Sequence, residues 1–87
     1  MENFPELNDS QLALLRADVK TGHILDNEFN LAINDHQKVF TLFDDAKTAL
    51  LFAKDVLKKN TNVECVIYTK DKSVLYHITP ENVHLLI

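Results

Sequence analysis

One cysteine and four histidines are the side chains of this chain with the greatest potential for chemistry. Cys65 with a nearby histidine would be the minimum of a thiol enzyme, but a reactive cysteine usually lies at a helix N-terminus or in an electropositive pocket. Cys65 instead stands between Val63 and Ile67 in an apolar run with the pattern of a buried strand. We therefore predict that Cys65 is a small core residue and that the chain is not an enzyme.

The histidines do not have the spacing of a metal site. Zinc ligands commonly occur as H-E-x-x-H or as paired C-x-x-C, and neither pattern is present. The spacing leaves open a meeting of His77 with His84, or of Cys65 with His77, in the folded chain. The single glycine is too few for a glycine-rich phosphate loop. The sequence predicts no catalytic residue, no metal site and no cofactor.

Lysines of the second half of the chain are an alternative source of a binding site. Three lie on one stripe of a predicted helix and two lie in a later predicted turn, where together they could attract an acidic partner or a small anion. These residues are Lys47, Lys54, Lys58, Lys70 and Lys72. The set contains no arginine and the chain has a net charge of −4, which argues against nucleic acid as the partner.

Length and composition favour one folded domain over residues 1–87. Apolar residues make up 46% of the chain and charged residues 25%, as in ordinary globular proteins. A single cysteine allows no internal disulfide, so an oligomer or a partner is the remaining common source of extra burial for this small core. The start of the chain lacks the pattern of a signal peptide and no apolar run is long enough for a membrane span, so we expect a cytoplasmic protein.

The first structural signal is an apolar run followed by the single glycine. We predict a strand over residues 12–19 that turns back through residues 23–26, with Gly22 supplying the positive φ that a bulged hairpin needs. A short helix over residues 9–15 is the alternative, because Asp9 or Ser10 could cap it.

A second hairpin is predicted from two apolar runs around a polar turn at residues 34–37. The first run alternates in polarity, as a strand with one buried face does. Antiparallel pairing of the two runs places Leu31 opposite Phe40 and Phe29 opposite Leu42, so that apolar side chains share one face.

Residues 45–59 have the pattern of an amphipathic helix. Asp44 is the expected N-cap, Asp45 suits the positive first turn, and Asn60 is the expected stop. Leu51 breaks the pattern, because it projects into the lysine stripe. The predicted apolar face consists of Ala46, Ala49, Leu50, Ala53, Val56 and Leu57.

The last predicted hairpin carries apolar residues on both faces. Its expected pairs are Cys65 with Ile78, Ile67 with Tyr76 and Thr69 with Val74. One helix covers only one face of a sheet, so the other face, with Val66, Tyr68 and Leu75, needs another cover. We expect part of that cover from a short C-terminal helix that begins at Thr79 and Pro80. The apolar residues of this helix are Val83, Leu86 and Ile87.

These elements predict an α+β fold, with an antiparallel sheet of about four to six strands, one main helix on one face and a short C-terminal helix. Apolar residues without a predicted cover form the expected interaction surface, which consists of Leu51, Val66, Tyr68, Leu75 and Leu86. The function predicted from this surface is a small non-enzymatic interaction module that binds a protein partner or associates weakly with itself. The alternative is a domain that binds anions or small ligands through the five lysines.

Overall fold

The computed structural model of the chain describes residues 2–86, which form one antiparallel sheet and two helices. The strands are β1 (Leu12–Asp18), β2 (Ile24–Leu25), β3 (Phe40–Phe43), β4 (Val63–Tyr68) and β5 (Val74–Ile78). The helices are α1 (Ala46–Lys59) and α2 (Val83–Leu86). The predicted α+β fold is therefore confirmed, with five strands in the sheet.

β1 is the central strand. β4 pairs along one edge of β1, and β5 continues the sheet beyond β4. The other edge of β1 is shared, because β3 pairs with residues 12–15 and β2 pairs with the next two residues. A strand that is covered on both faces reads as a nearly continuous apolar run, without the alternation of a half-exposed strand. Residues 12–15 lie in β1, so the alternative of a helix over residues 9–15 is wrong.

The first hairpin forms with boundaries within one residue of those predicted. Gly22 has a φ of +75°, a conformation that residues with a Cβ rarely adopt. The Asp18 carboxylate closes the turn by accepting hydrogen bonds from the amides of Lys20 and Thr21 at 2.9 and 3.0 Å. These bonds, the one from Thr21 first, lower the pKa of Asp18.

The second predicted hairpin is wrong. β3 pairs with β1 instead, which places Phe40 opposite Leu15 and not opposite Leu31. The pairing of Phe29 with Leu42 is absent as well, because Phe29 has a φ of +68°, outside the range of strand residues. The pairing of β3 with β1 gives hydrogen-bond partners to an edge of β1 that would otherwise be unpaired, and this gain outweighs the local match of apolar residues.

Asp26 holds the loop that replaces this hairpin. Its carboxylate accepts hydrogen bonds from the amides of Glu28 and Asn30 at 2.8 and 3.0 Å, and from the side chain of Gln37 at 2.7 Å. The bond from Gln37 is the main cause that lowers the pKa of Asp26. A single carboxylate therefore joins the two ends of the loop.

α1 begins one residue later than predicted, because Asp45 and not Asp44 is its N-cap. The Asp45 carboxylate accepts a hydrogen bond from the Thr48 amide at 2.7 Å, and this bond lowers the pKa of Asp45. Asn60 ends the helix as predicted. Its backbone amide and its side chain both donate to the Val56 carbonyl at 2.9 Å.

α1 packs across one face of the sheet, and the core lies between them. Leu57 is 5% exposed and Leu50 is partly buried against the same core, whereas Leu51 is 51% exposed on the outer side of the helix. The sheet contributes Leu12, Leu14, Leu25, Val63, Cys65, Ile67 and Ile78 to this core, and the helix contributes Ala49, Ala53, Val56 and Leu57.

The last hairpin keeps the predicted register over part of its length. Its observed pairs include Cys65 with Ile78 and Ile67 with Tyr76, both as predicted. A bulge then shifts the register, so that Tyr68 and not Thr69 lies opposite Val74. Residues that lie opposite each other point to the same face, so Val74 joins Tyr68 on the face away from α1.

α2 lies beside α1, and the prediction that it covers the other face of the sheet is wrong. Val83 packs against the core on the helix side. Thr79 precedes the helix. Its amide donates a hydrogen bond to the Asn82 side chain at 2.8 Å, and its hydroxyl accepts one from the Asn82 amide at 3.3 Å. Leu86 is exposed, and Ile87 lies outside the described residues.

Two leucines of α1 provide a direct test of this packing. Leu57→Ala is expected to lower the free energy of unfolding by about 2–5 kcal/mol, because it leaves a cavity in the core. Leu51→Ala, a matched control on the exposed side, is expected to change it by less than about 0.5 kcal/mol. Urea unfolding followed by circular dichroism measures both, and equal losses would contradict the assigned faces of the helix.

Candidate interaction surface

The face of the sheet opposite α1 is called the second face. It presents Ala13, Leu15 and Ala17 of β1, Phe40 and Leu42 of β3, Val66 and Tyr68 of β4, and Val74 and Leu75 of β5. The three residues from β1 are buried although α1 lies on the other side of the sheet. Another part of the chain must therefore cover the second face.

Residues 2–7 provide this cover, and we call them the N-terminal strap. The ring of Phe4 packs between two aromatic rings of the second face, with centroid distances of 5.4 Å to Phe40 and 5.8 Å to Tyr68. The interplanar angles of 72° and 89° correspond to the favourable edge-to-face arrangement. The strap thus covers the middle of the sheet.

The carboxylate of Glu2 fixes the beginning of the strap. Its Oε1 atom accepts hydrogen bonds from the amides of Val39 and Phe40 at 2.9 and 3.2 Å, and its Oε2 atom lies 3.6 Å from Lys38 Nζ. Among residues 2–86, no hydrogen bond joins a backbone group of the strap to a backbone group of the sheet. The strap is therefore held by its own side chains and not by a strand pairing.

Sequence reasoning missed the strap because a short segment without hydrophobic periodicity gives no helix or strand signal. The available signal was an aromatic residue, Phe4, directly before Pro5, with acidic and amide residues among its neighbours. A residue before proline favours an extended backbone, and an extended segment with one aromatic side chain can lie flat on a sheet. The sequence did not show which surface would receive the ring.

The structure divides the predicted interaction surface between two sides of the molecule. Val66 and Tyr68 lie on the second face and are partly covered, and Leu75 lies near them on β5. Leu51 and Leu86 lie on the helical side of the sheet and are exposed there. The five residues therefore do not form one continuous surface.

The second face remains apolar at both borders of the strap. Leu42 is 45% exposed on β3, and Leu75 is 44% exposed on β5, at the opposite edge of the same face. Val74 adds a further exposed side chain beside Tyr68. Phe4 thus lies over the middle of an apolar row whose ends are open to solvent.

The five predicted anion-binding lysines separate into different surroundings. Lys70 forms an ion pair with Asp9, and Lys72 Nζ lies 5.8 Å from the centroid of the Phe4 ring. Both residues also line a depression beside the strap. Lys47 is exposed in the first turn of α1. The predicted single patch is therefore replaced by smaller groups.

A second group of lysines lies between the two helices. Lys54 and Lys58 line a depression of about 270 Å³ together with His84 of α2. Leu57 and Val83 are among the apolar residues that line the same depression. Positive and titratable groups beside an apolar surface are suited to a ligand with an anionic group and an apolar part.

Arg16 is a residue of interest that the sequence reasoning did not single out. It lies on the helix-covered side of β1 and is 2% exposed. Its guanidinium donates hydrogen bonds to the Asn27 side chain at 2.7 Å, to the Val39 carbonyl at 3.4 Å, and to the Thr41 hydroxyl. The signal that could have found it is a lone arginine within the apolar run of β1.

Two aromatic rings enclose the Arg16 guanidinium. Its central carbon lies 5.9 Å from the centroid of Phe29 and 5.7 Å from that of Phe52, within the range of cation–π contacts. Burial lowers the pKa of Arg16, while the neighbouring Cys65 and Asp26 act in the opposite direction. Phe29, which has a positive φ, is thus one of the two residues whose rings pack on the buried Arg16 guanidinium.

Cys65 and His77 point to opposite faces of the sheet, which removes the possibility that they meet. Cys65 is buried in the core, as predicted, and burial raises the pKa of its thiol to about 12. His77 lies opposite Val66, with its Nε2 atom 3.3 Å from the Glu64 carboxylate. Within the part of the chain that the structure describes, no three or more His, Cys, Asp or Glu residues cluster as metal ligands would.

Comparisons of the chain with protein-family models, with curated proteins and with solved structures find no match. Between residues 2 and 86, neither helix has the length and apolar composition that a membrane crossing requires. The second face with its strap, and the depression between the two helices, are the two surfaces whose chemistry suggests a function.

The buried guanidinium leads to a prediction about stability. Arg16→Lys is expected to lower the free energy of unfolding by about 1.5–3 kcal/mol, because an ammonium cannot reproduce the planar set of hydrogen bonds or the ring contacts. Lys20→Met, an exposed control in the first turn, is expected to have an effect below about 0.5 kcal/mol. Urea unfolding measures both, and an Arg16→Lys variant as stable as the parent would show that the guanidinium contacts contribute little.

The raised pKa of Cys65 leads to a prediction about reactivity. A pKa well above its usual range leaves almost no thiolate at neutral or mildly alkaline pH, and the thiolate is the reactive form. At pH about 8, near the ordinary pKa of a thiol, native Cys65 is expected to react with Ellman's reagent far more slowly than in urea-unfolded protein. Similar rates in the two samples would contradict the burial of this side chain.

Proposed function

We propose that this chain is a small, non-enzymatic, cytoplasmic interaction module that binds a protein partner, and weakly a second copy of itself, through the second face of its sheet. The observation that carries the proposal is the cover of this face. The strap covers the middle of an apolar row but has no strand pairing with the sheet. Leucines at both borders of the strap stay exposed. Exposed apolar surface of this kind is typical of interaction sites.

The strap is the part of this face that opens most easily. The contacts of Glu2 and Phe4, with the partial burial of Pro5 and Leu7, must offset the conformational entropy that the whole strap loses on docking. Segments with few buried contacts and no backbone pairing open at lower free energy than core strands. When the strap leaves, Phe40 and Tyr68 become accessible and join the exposed border residues into one apolar surface.

A second candidate function uses the depression between α1 and α2. Lys54, Lys58 and His84 surround an apolar surface there, which suits a small ligand with an anionic group. This site retains two of the five predicted lysines. Lys70 and Lys72 are excluded from it because they flank the strap.

Self-association through the second face is tested with a pair of exposed leucines. Leu75→Lys places a charge on the second face and is expected to weaken association by at least about tenfold, because burial of a leucine side chain contributes about 1.5–3 kcal/mol. Leu51→Lys places the same charge on the helical side and is expected to leave association unchanged. Sedimentation velocity over a range of micromolar concentrations measures both variants.

Two outcomes would contradict this proposal. A parent protein that stays strictly monomeric at the highest concentration, and that remains so when the strap is undocked by Phe4→Ala, would remove the case for self-association through this face. Equal weakening of self-association by Leu51→Lys and Leu75→Lys would show that the contact lies elsewhere or that the effect comes from the change in net charge alone. Circular dichroism of each variant shows that the fold is intact.

A further inference from the structure

We propose that the second face contains a peptide-binding groove and that its ligand is an extended, acidic segment of a partner protein with an aromatic side chain two residues after a carboxylate. The N-terminal strap occupies this groove within its own chain, with Glu2 and Phe4 in the two recognition positions. This inference rests on the proposed function, since it specifies what the second face binds.

The carboxylate position is built from backbone amides. The amides of Val39 and Phe40 converge on one oxygen of Glu2, and Lys38 lies near the other oxygen. With the strap docked, Val39 is fully buried and its amide donates to Glu2, so departure of the strap removes the partner of this amide in the protein. Two amides that converge on one point and a nearby ammonium form charge-assisted hydrogen bonds with a carboxylate, so an incoming carboxylate can replace that of Glu2.

The aromatic position is built from rings. Phe40 and Tyr68 contact the ring of Phe4 from two sides, and Lys72 places its ammonium 5.8 Å from the centroid of that ring. An aromatic side chain gains from both kinds of contact, whereas an aliphatic one gains only from burial. The position therefore favours an aromatic residue in the ligand.

Charge complementarity indicates that the ligand segment is acidic. Three lysines, at positions 38, 70 and 72, border the strap, although the whole chain has a net charge of −4. The strap and the turn that follows it carry the matching acids Glu2, Glu6 and Asp9. A basic rim on an otherwise acidic protein attracts an acidic segment and disfavours a basic one.

The strap limits access to its own groove. It is tethered to β1, so its effective concentration at the groove is high, of millimolar order for short flexible linkers. A free segment of the same chemistry must compete with it. Binding in trans is therefore weak in the parent protein and stronger when the strap is undocked, which makes the strap an internal competitor of the partner.

The experiment uses the full chain and a fluorescein-labelled peptide with the sequence of residues 2–9, ENFPELND. Fluorescence anisotropy is measured with the parent and with the Glu2→Gln/Phe4→Ala variant, whose strap has lost both recognition side chains. The variant is expected to bind the peptide at least about tenfold more tightly than the parent, because the internal competitor is gone. A control peptide with the same two substitutions, QNAPELND, is expected not to bind.

Further variants test the groove itself. In the undocked background, Lys38→Glu is expected to weaken peptide binding several-fold, and Lys59→Glu, on the exposed end of α1, is the matched control and is expected to have no effect beyond that of net charge. If circular dichroism shows that the double variant is unfolded, the single variant Phe4→Leu, which keeps an apolar cover, replaces it in the same titration.

The proposal is overturned if folded, strap-weakened protein does not bind ENFPELND, or if it binds QNAPELND equally well. These results are distinguishable from a failure of the proposed function. Sedimentation of the same samples, together with the Leu75→Lys variant, reports whether the second face associates at all. Self-association without peptide binding would leave the interaction module standing and would assign the face to a partner of different chemistry.

Discussion

The buried guanidinium of Arg16 is the constraint on which the arrangement of the other elements depends. A cation at this position needs acceptors and polarisable neighbours, because burial removes its hydration. The acceptors come from the side chains of Asn27 and Thr41 and from the backbone of Val39, and Phe29 and Phe52 close the site. Arg16 thus fixes β3, α1 and the long loop before β3 relative to β1.

This constraint on the helix side of the sheet reaches the second face most directly through Val39. The carbonyl of Val39 accepts from Arg16, and its amide donates to Glu2 of the strap. The hydrogen bond from Gln37 to Asp26 sets the shape of the loop and so places residue 39 between Arg16 and Glu2. The carboxylate position of the strap site is therefore a consequence of how the core cation is satisfied, although the two lie on opposite sides of the sheet.

The proposed function rests on the distribution of charge and apolar area over the surface. The reactive group Cys65 is buried in the core, where it packs among apolar residues and burial raises its pKa. The groups available at the surface are aromatic rings, border leucines and lysines around a segment without strand pairing. Under the proposed function, release of this segment exposes the apolar surface that it covers in the structure.

The sequence by itself determined the elements whose signals are local. The 3.6-residue apolar period and the stop at Asn60 gave α1, the need for positive φ at Gly22 gave the first hairpin, and the alternation around Ile67 gave most of the last one. The tertiary structure alone decided the partner of β3, the position of α2 and the docking of Phe4. Each of these depends on which surfaces remain uncovered after the local elements form, and that choice follows from long-range burial of apolar area and of the Arg16 cation, which no short stretch of residues encodes.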